Sequence, residues 1–106
     1  MFVAMNNFKI VHGREDDFET AWRTRQTYLQ DVPGFQRFLL LRGDASGDYI
    51  SLSIWESRDV FLAWTQSESF AAGHRQRSLA GILEGPPNAR LYEAVLVEDA
   101  EATARA

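Results

Sequence analysis

The chain contains two histidines, His12 and His74, and no cysteine, so chemistry that needs a soft nitrogen or sulfur ligand has few places to occur. His74 closes a short amphipathic stretch in which Phe70, Ala71 and His74 recur at helical spacing. An imidazole there projects from an apolar side. The small neighbours Ala71, Ala72 and Gly73 leave room for a large flat ligand, and Arg75 and Arg77 could meet carboxylates. An isolated histidine is more often an ordinary residue of middling burial, so the apolar face is what makes His74 a candidate. Trp64, ten residues earlier, and Asn6, near the start, could complete a site. Taken singly, Trp64 reads as core more readily than as a ligand contact, and Trp22 and Trp55 share that ambiguity. Asn6 is harder to dismiss. A buried amide on an apolar face costs about 1–3 kcal/mol unless it is paired, either with loop backbone or with a ligand.

Other chemistries find little support. No glycine-rich phosphate loop, HExxH or GxSxG occurs. The acidic pair Asp16 and Asp17 suits the first turn of a helix. Arg23 and Arg25 read as solvated, although one of them could reach an anionic ligand. The absence of cysteine excludes disulfides, thiolate zinc sites and cysteine-ligated iron–sulfur clusters. A net charge of -4 leaves no basic stripe to neutralise phosphates, which argues against a nucleic-acid partner. No apolar run approaches the roughly 18 residues of a membrane helix. The opening residues lack the basic-then-apolar order of a signal peptide, so a cytoplasmic location is expected.

Several elements must position these residues. Residues 2–11 alternate, with Phe2, Ala4, Asn6, Phe8 and Ile10 on one face and Val3, Met5, Asn7, Lys9 and Val11 on the other. Period two predicts a strand, and Asn6 is the polar member of its face. Phe18, Ala21, Trp22, Arg25, Tyr28 and Leu29 predict a helix over 14–31, stopped by Val32-Pro33-Gly34. Strands are predicted over 35–42 and 49–55, joined by a turn-rich loop at 43–48. Ser57 is a candidate cap for a helix carrying Phe61 and Trp64, and Ser67 for a second short helix reaching residue 77. Residues 78–89, with Gly81, Gly85, Pro86 and Pro87, predict a long loop of the kind that is functional or mobile. A last strand is expected over 90–97, followed by a polar tail.

The order β-α-β-β-α-β predicts an α+β, ferredoxin-like arrangement: an antiparallel sheet with helices on one face. The chain fits a single domain over 1–97 with a tail at 98–106. The strands are apolar on both faces, so the bare face needs a cover. A second copy related by a two-fold axis is the simplest one, and a homodimer is expected.

Three segments together resemble a known family. They are Phe2-Val-Ala-Met-Asn6-Asn7-Phe-Lys-Ile-Val-His-Gly13, Ala63-Trp64 and Phe70-Ala-Ala-Gly-His74, with Trp55-Glu56-Ser57 at the strand-to-helix junction. The chain is similar to the IsdG-type haem-degrading monooxygenases, among the antibiotic-biosynthesis-monooxygenase-like dimeric α+β barrels. Aligning Gly13 with the glycine that ends the family's first strand places the asparagine at Asn6, with Asn7 as the competing register. The resemblance implies that His74 is the axial ligand of haem iron and that Asn6 donates its amide to the oxygen ligand on the distal side. It also implies that Trp64 presses on the macrocycle. Haem would be both substrate and cofactor, consumed with O2 and electrons from a separate reductase or an external reductant such as ascorbate. The products would be an open-chain tetrapyrrole and free iron. Two other readings stay open: a cofactor-free monooxygenase of aromatic polyketide-type substrates, and a non-enzymatic haem carrier or sensor.

Overall fold

The structure, a computed structural model, describes residues 1–25, 27–76 and 79–100, with the side chains of 73–76 excepted. Strand β1 (Phe2–Lys9) leads into helix α1 (Glu15–Arg23), the hairpin β2 (Phe35–Arg42) and β3 (Asp48–Trp55), helices α2 (Arg58–Thr65) and α3 (Glu68–Gln76), and β4 (Asn88–Glu93). All pairings are antiparallel, and the sheet order is β2-β3-β1-β4. This is the ferredoxin-like α+β fold, with α2 and α3 together filling the second helical position.

Sequence periodicity sets the two faces of the sheet. Phe2, Ala4, Asn6 and Phe8 alternate toward the helices, where Phe8 packs on Phe18 of α1 and Phe2 on Phe61 of α2. The register carries this face across the sheet. Phe8 lies opposite Tyr49, and Phe2 opposite Trp55. Two aromatic clusters grow from these ends. Phe8, Phe18, Trp22 and Tyr49 form one with Ile10 and Ile82, and Trp55, Phe61, Trp64 and Phe70 form the other. Trp55 and Phe18 are fully buried.

The caps read from the sequence are present. Ser57 Oγ accepts from the Val60 amide, and Ser67 Oγ from the Phe70 amide. Gly34, with φ at 82°, makes the turn into β2 and presses on Val60.

Three expectations are corrected. Helix α1 stops at Arg23 instead of continuing to 31. Its last carbonyls are taken by side chains that compete with further turns: Thr24 Oγ1 donates to the Thr20 carbonyl at 2.8 Å, and Arg25 Nη1 donates to the Trp22 carbonyl at 2.9 Å. Thr27 Oγ1 then accepts the Leu29 amide at 3.2 Å, a local turn and not a helical bond. The second concerns the long loop expected over 78–89: residues 79–87 do form a loop, but one anchored to the core, and Asn88 and Ala89 already belong to β4. Ile82 is buried in the core, Val11 donates its amide to the Ile82 carbonyl, Glu84 donates to the Lys9 carbonyl, and Leu83 bridges Ile10. Buried apolar side chains override the glycines and prolines around them. Third, the last strand runs over Asn88–Glu93, so Ala89 belongs to it and Val95, Leu96 and Val97 lie beyond it, exposed. Arg77 and Ser78, and residues 101–106 of the expected tail, lie outside the described residues.

Candidate functional site

The middle of the helix-facing surface is built from small side chains. One cross-strand row reads Leu40, Ser51, Asn6, Ala89, and the next reads Phe38, Ser53, Ala4, Leu91. Large aromatics hold the helices up at either end of the sheet, so the short residues between them leave a gap. The result is a cavity of about 330 Å³, within the usual range for ligand sites. Its floor is Ala4, Asn6, Ser51, Ser53 and Ala89. Trp22, Arg25 and the segment 27–29 form one wall, and Phe61, Trp64, Thr65, Ser69 and Phe70 form the other.

Asn6 and Trp64, 58 positions apart in the chain, thus share one cavity. Strand register separates the two asparagines. Asn6 faces this cavity, and no described group hydrogen-bonds its side chain. Asn7 lies on the opposite face, where its amide donates to Asp48 Oδ1 at 3.0 Å and to the Tyr49 carbonyl at 3.2 Å. Trp64 stacks at a tilt on Trp55, 5.0 Å between centroids, and Phe70 meets it edge-on at 4.8 Å. Helix α3 continues through position 74, one turn past Phe70, but the side chain of His74 lies outside the described residues, as do those of Arg75 and Arg77.

Arg25, expected to be solvated, instead lies over the aromatic wall. Its guanidinium carbon is 4.9 Å from the Trp22 ring and 4.7 Å from the Phe38 ring. Partial burial lowers its pKa from the ordinary arginine value, yet it stays cationic at neutral pH. The cavity therefore joins apolar aromatic walls to one cation and one amide. That donor set suits a flat, largely apolar ligand bearing carboxylates.

The model of the family described as antibiotic biosynthesis monooxygenase matches residues 1–76, most of the chain, including Asn6, Trp64 and position 74. The chain belongs to the antibiotic biosynthesis monooxygenase family. A curated relative, the mycobilin-producing heme oxygenase of Mycobacterium tuberculosis, is 31% identical over 81 residues, covering 74% of this chain and 77% of that protein. Among solved structures, the heme-degrader MhuD of M. tuberculosis, with two hemes bound in its active site, superposes with a TM-score of 0.76 at 25% identity. That match covers 93% of this chain and 100% of the other. SnoaB, a cofactor-independent oxygenase from Streptomyces nogalater, shares the fold, with a TM-score of 0.69, 23% identity, and coverage of 91% and 94%.

Within this monooxygenase-family chain, sequence reasoning did not single out Ser51 and Ser53. Their signal was present: two small polar residues alternate between Tyr49 and Trp55 on the face that must be buried. A second cluster sits about one turn before Trp22 on α1. Buried Glu19 accepts from Arg42 Nε and Nη2 at 2.8 and 2.9 Å, from Arg23 Nη2 at 2.9 Å and from Tyr49 Oη at 2.5 Å. The Tyr49 hydrogen bond and then the Arg42 bonds hold the Glu19 carboxyl below its usual pKa, against the opposing effect of burial. Every carboxylate oxygen there is occupied, so this cluster is a structural tie between α1 and the sheet. Among the described residues, no group of three or more metal-ligating side chains occurs, and no helix is long and apolar enough to cross a membrane.

Proposed function

We propose that this protein is a haem-degrading monooxygenase that takes haem into the cavity between α1 and the α2–α3 pair. The observation that carries the reading is the convergence of Asn6, Trp64 and Arg25 on one aromatic-walled cavity, in a chain related to a heme oxygenase. In this reading haem is the substrate and also supplies the iron at which O2 is reduced. His74 on α3 is the axial ligand to that iron. Asn6 donates its amide from the sheet floor on the opposite side. Trp64, backed by Trp55, bears on one face of the macrocycle and favours a distorted porphyrin. Arg25 pairs with a propionate at the rim. Electrons come from an external reductant or a separate reductase, since the sequence carries no flavin or nicotinamide motif. The working form is a cytoplasmic homodimer of one-domain chains.

Titration with haemin tests this directly. A Soret band is expected to grow and saturate, and adding ascorbate in air is expected to bleach it with release of iron. His74→Ala is expected to change the spectrum of the complex, and Asn6→Ala to slow bleaching by 10-fold or more. An unchanged spectrum in the first variant removes the axial assignment, and an unchanged rate in the second removes the distal role.

The same cavity also favours one second reading. Its aromatic walls and hydroxyl-bearing floor suit a polycyclic aromatic substrate oxidised without cofactor. Oxygen uptake on an anthrone, with no haem binding, would select that reading. Tight haem binding without turnover under any reductant would instead indicate a carrier.

A further inference from the structure

We propose that Ser51 is a second hydrogen-bonding residue of the site, forming with Asn6 a two-point cradle on the sheet floor for the oxygen ligand of the substrate. Ser51 sits directly opposite Asn6 in the β1–β3 register, on the same face, and both line the cavity. Side chains so paired stand roughly 4.5–5.5 Å apart at Cβ, close enough to contact one small ligand together.

Three other hydroxyls that line the cavity, unlike that of Ser51, are already in use. Ser53 Oγ accepts the indole N–H of Trp55 at 2.8 Å, Thr65 Oγ1 donates to the Leu62 carbonyl at 2.7 Å, and Thr27 Oγ1 accepts the Leu29 amide. These three are engaged in holding local structure. Ser51 is 6% exposed, yet among the described residues nothing hydrogen-bonds its hydroxyl. A hydroxyl that opens on a largely apolar cavity is available to a ligand or water there. The adjacent Asn6, half-buried, likewise has no hydrogen-bond partner for its amide among the described residues. Two donors without protein partners, side by side on a floor whose other members are Ala4, Ala89 and the already bonded Ser53, define a place for one polar atom inside a largely apolar cavity. Serine also accepts, so the hydroxyl can hold the Asn6 amide in its donating orientation while its own proton points to the ligand.

The inference rests on the haem reading, and its test separates the two. The haemin complexes of wild type, Ser51→Ala and Ser51→Thr are titrated with cyanide in the ferric state, and the carbon monoxide stretch is recorded in the ferrous state. Loss of one hydrogen bond of about 1 kcal/mol corresponds to a roughly fivefold weaker cyanide affinity in Ser51→Ala. Its carbon monoxide stretch is expected to move to higher frequency. Ser51→Thr, which keeps the hydroxyl, is expected to stay near wild type in both. Apo-protein melting is expected to be little changed, which excludes a merely structural effect. Wild type that gives no Soret band overturns the haem reading and this inference with it. A Soret band with cyanide affinity and carbon monoxide stretch unchanged in Ser51→Ala overturns the role of Ser51 alone.

Discussion

Single side chains here divide between those that hold the frame and those held ready inside it. Glu19 belongs to the first group. It gathers Arg23, Arg42 and Tyr49 around one carboxylate and so joins α1 to β2 and β3. Its folded pKa is depressed, so it contributes stability above its unfolded value near 4.5 and loses that contribution as pH falls through the lower folded value. Glu19→Gln is expected to cost about 1.5–3 kcal/mol at pH 7, as for hydrogen bonds to a charged group. Denaturant unfolding measured from pH 7 downward should show the gap between wild type and variant closing below pH 4.5. Tyr49 acts in the opposite direction: burial, then its bond to Glu19, raises its pKa above 10.0, so the stability it adds is whole below that value and lost as pH rises past it. Asn6, Ser51 and Arg25 belong to the second group. Their polar groups border the cavity, where a ligand can use them.

The elements show which parts of the fold were legible in the sequence. Strands β1 to β3 and the caps Ser57 and Ser67 could be read because period-two alternation and hydroxyl capping are local signals. That Asn6 shares the face of Phe2 and Phe8 while Asn7 lies on the other could be read for the same reason, since alternation separates adjacent strand residues. The length of α1 was not legible. Tyr28 and Leu29 keep a helical period, but they line the cavity wall from an irregular segment, and the chain leaves the helix where Thr24 and Arg25 take its last carbonyls. Nor was the anchoring of residues 79–84 legible, because it depends on Ile82 meeting a core assembled from distant strands. The Gly34 turn yields a prediction at this scale. Its φ of 82° disfavours any side chain, and a Cβ there would lie 2.6 Å from Val60 on α2. Gly34→Ala is expected to destabilise by more than about 1 kcal/mol, read as a lower denaturation midpoint with an unchanged slope.

At the scale of the whole molecule, the sheet face turned away from the helices carries Val3, Met5, Ile50, Leu52, Ile54, Leu39 and Leu41, and Leu39 and Leu41 are 38% and 39% exposed. Such a largely apolar face needs a cover, and we propose that a second copy is laid on it sheet to sheet. Sedimentation equilibrium is expected to give a dimer, and Leu52→Glu, in the middle of that face, a folded monomer. A monomeric wild type would count against this assembly. The two walls of the cavity, meanwhile, are unequal. Helix α1 buries Phe18, Glu19 and Trp22, whereas no residue of α2 is buried. Local opening costs least where least is buried, so amide hydrogens of α2 should exchange with solvent well before those of α1 and β1. The wall bearing Trp64 is then the compliant one, and a guest in the cavity would register chiefly as slowed deuterium uptake along α2, with the sheet floor keeping time as before.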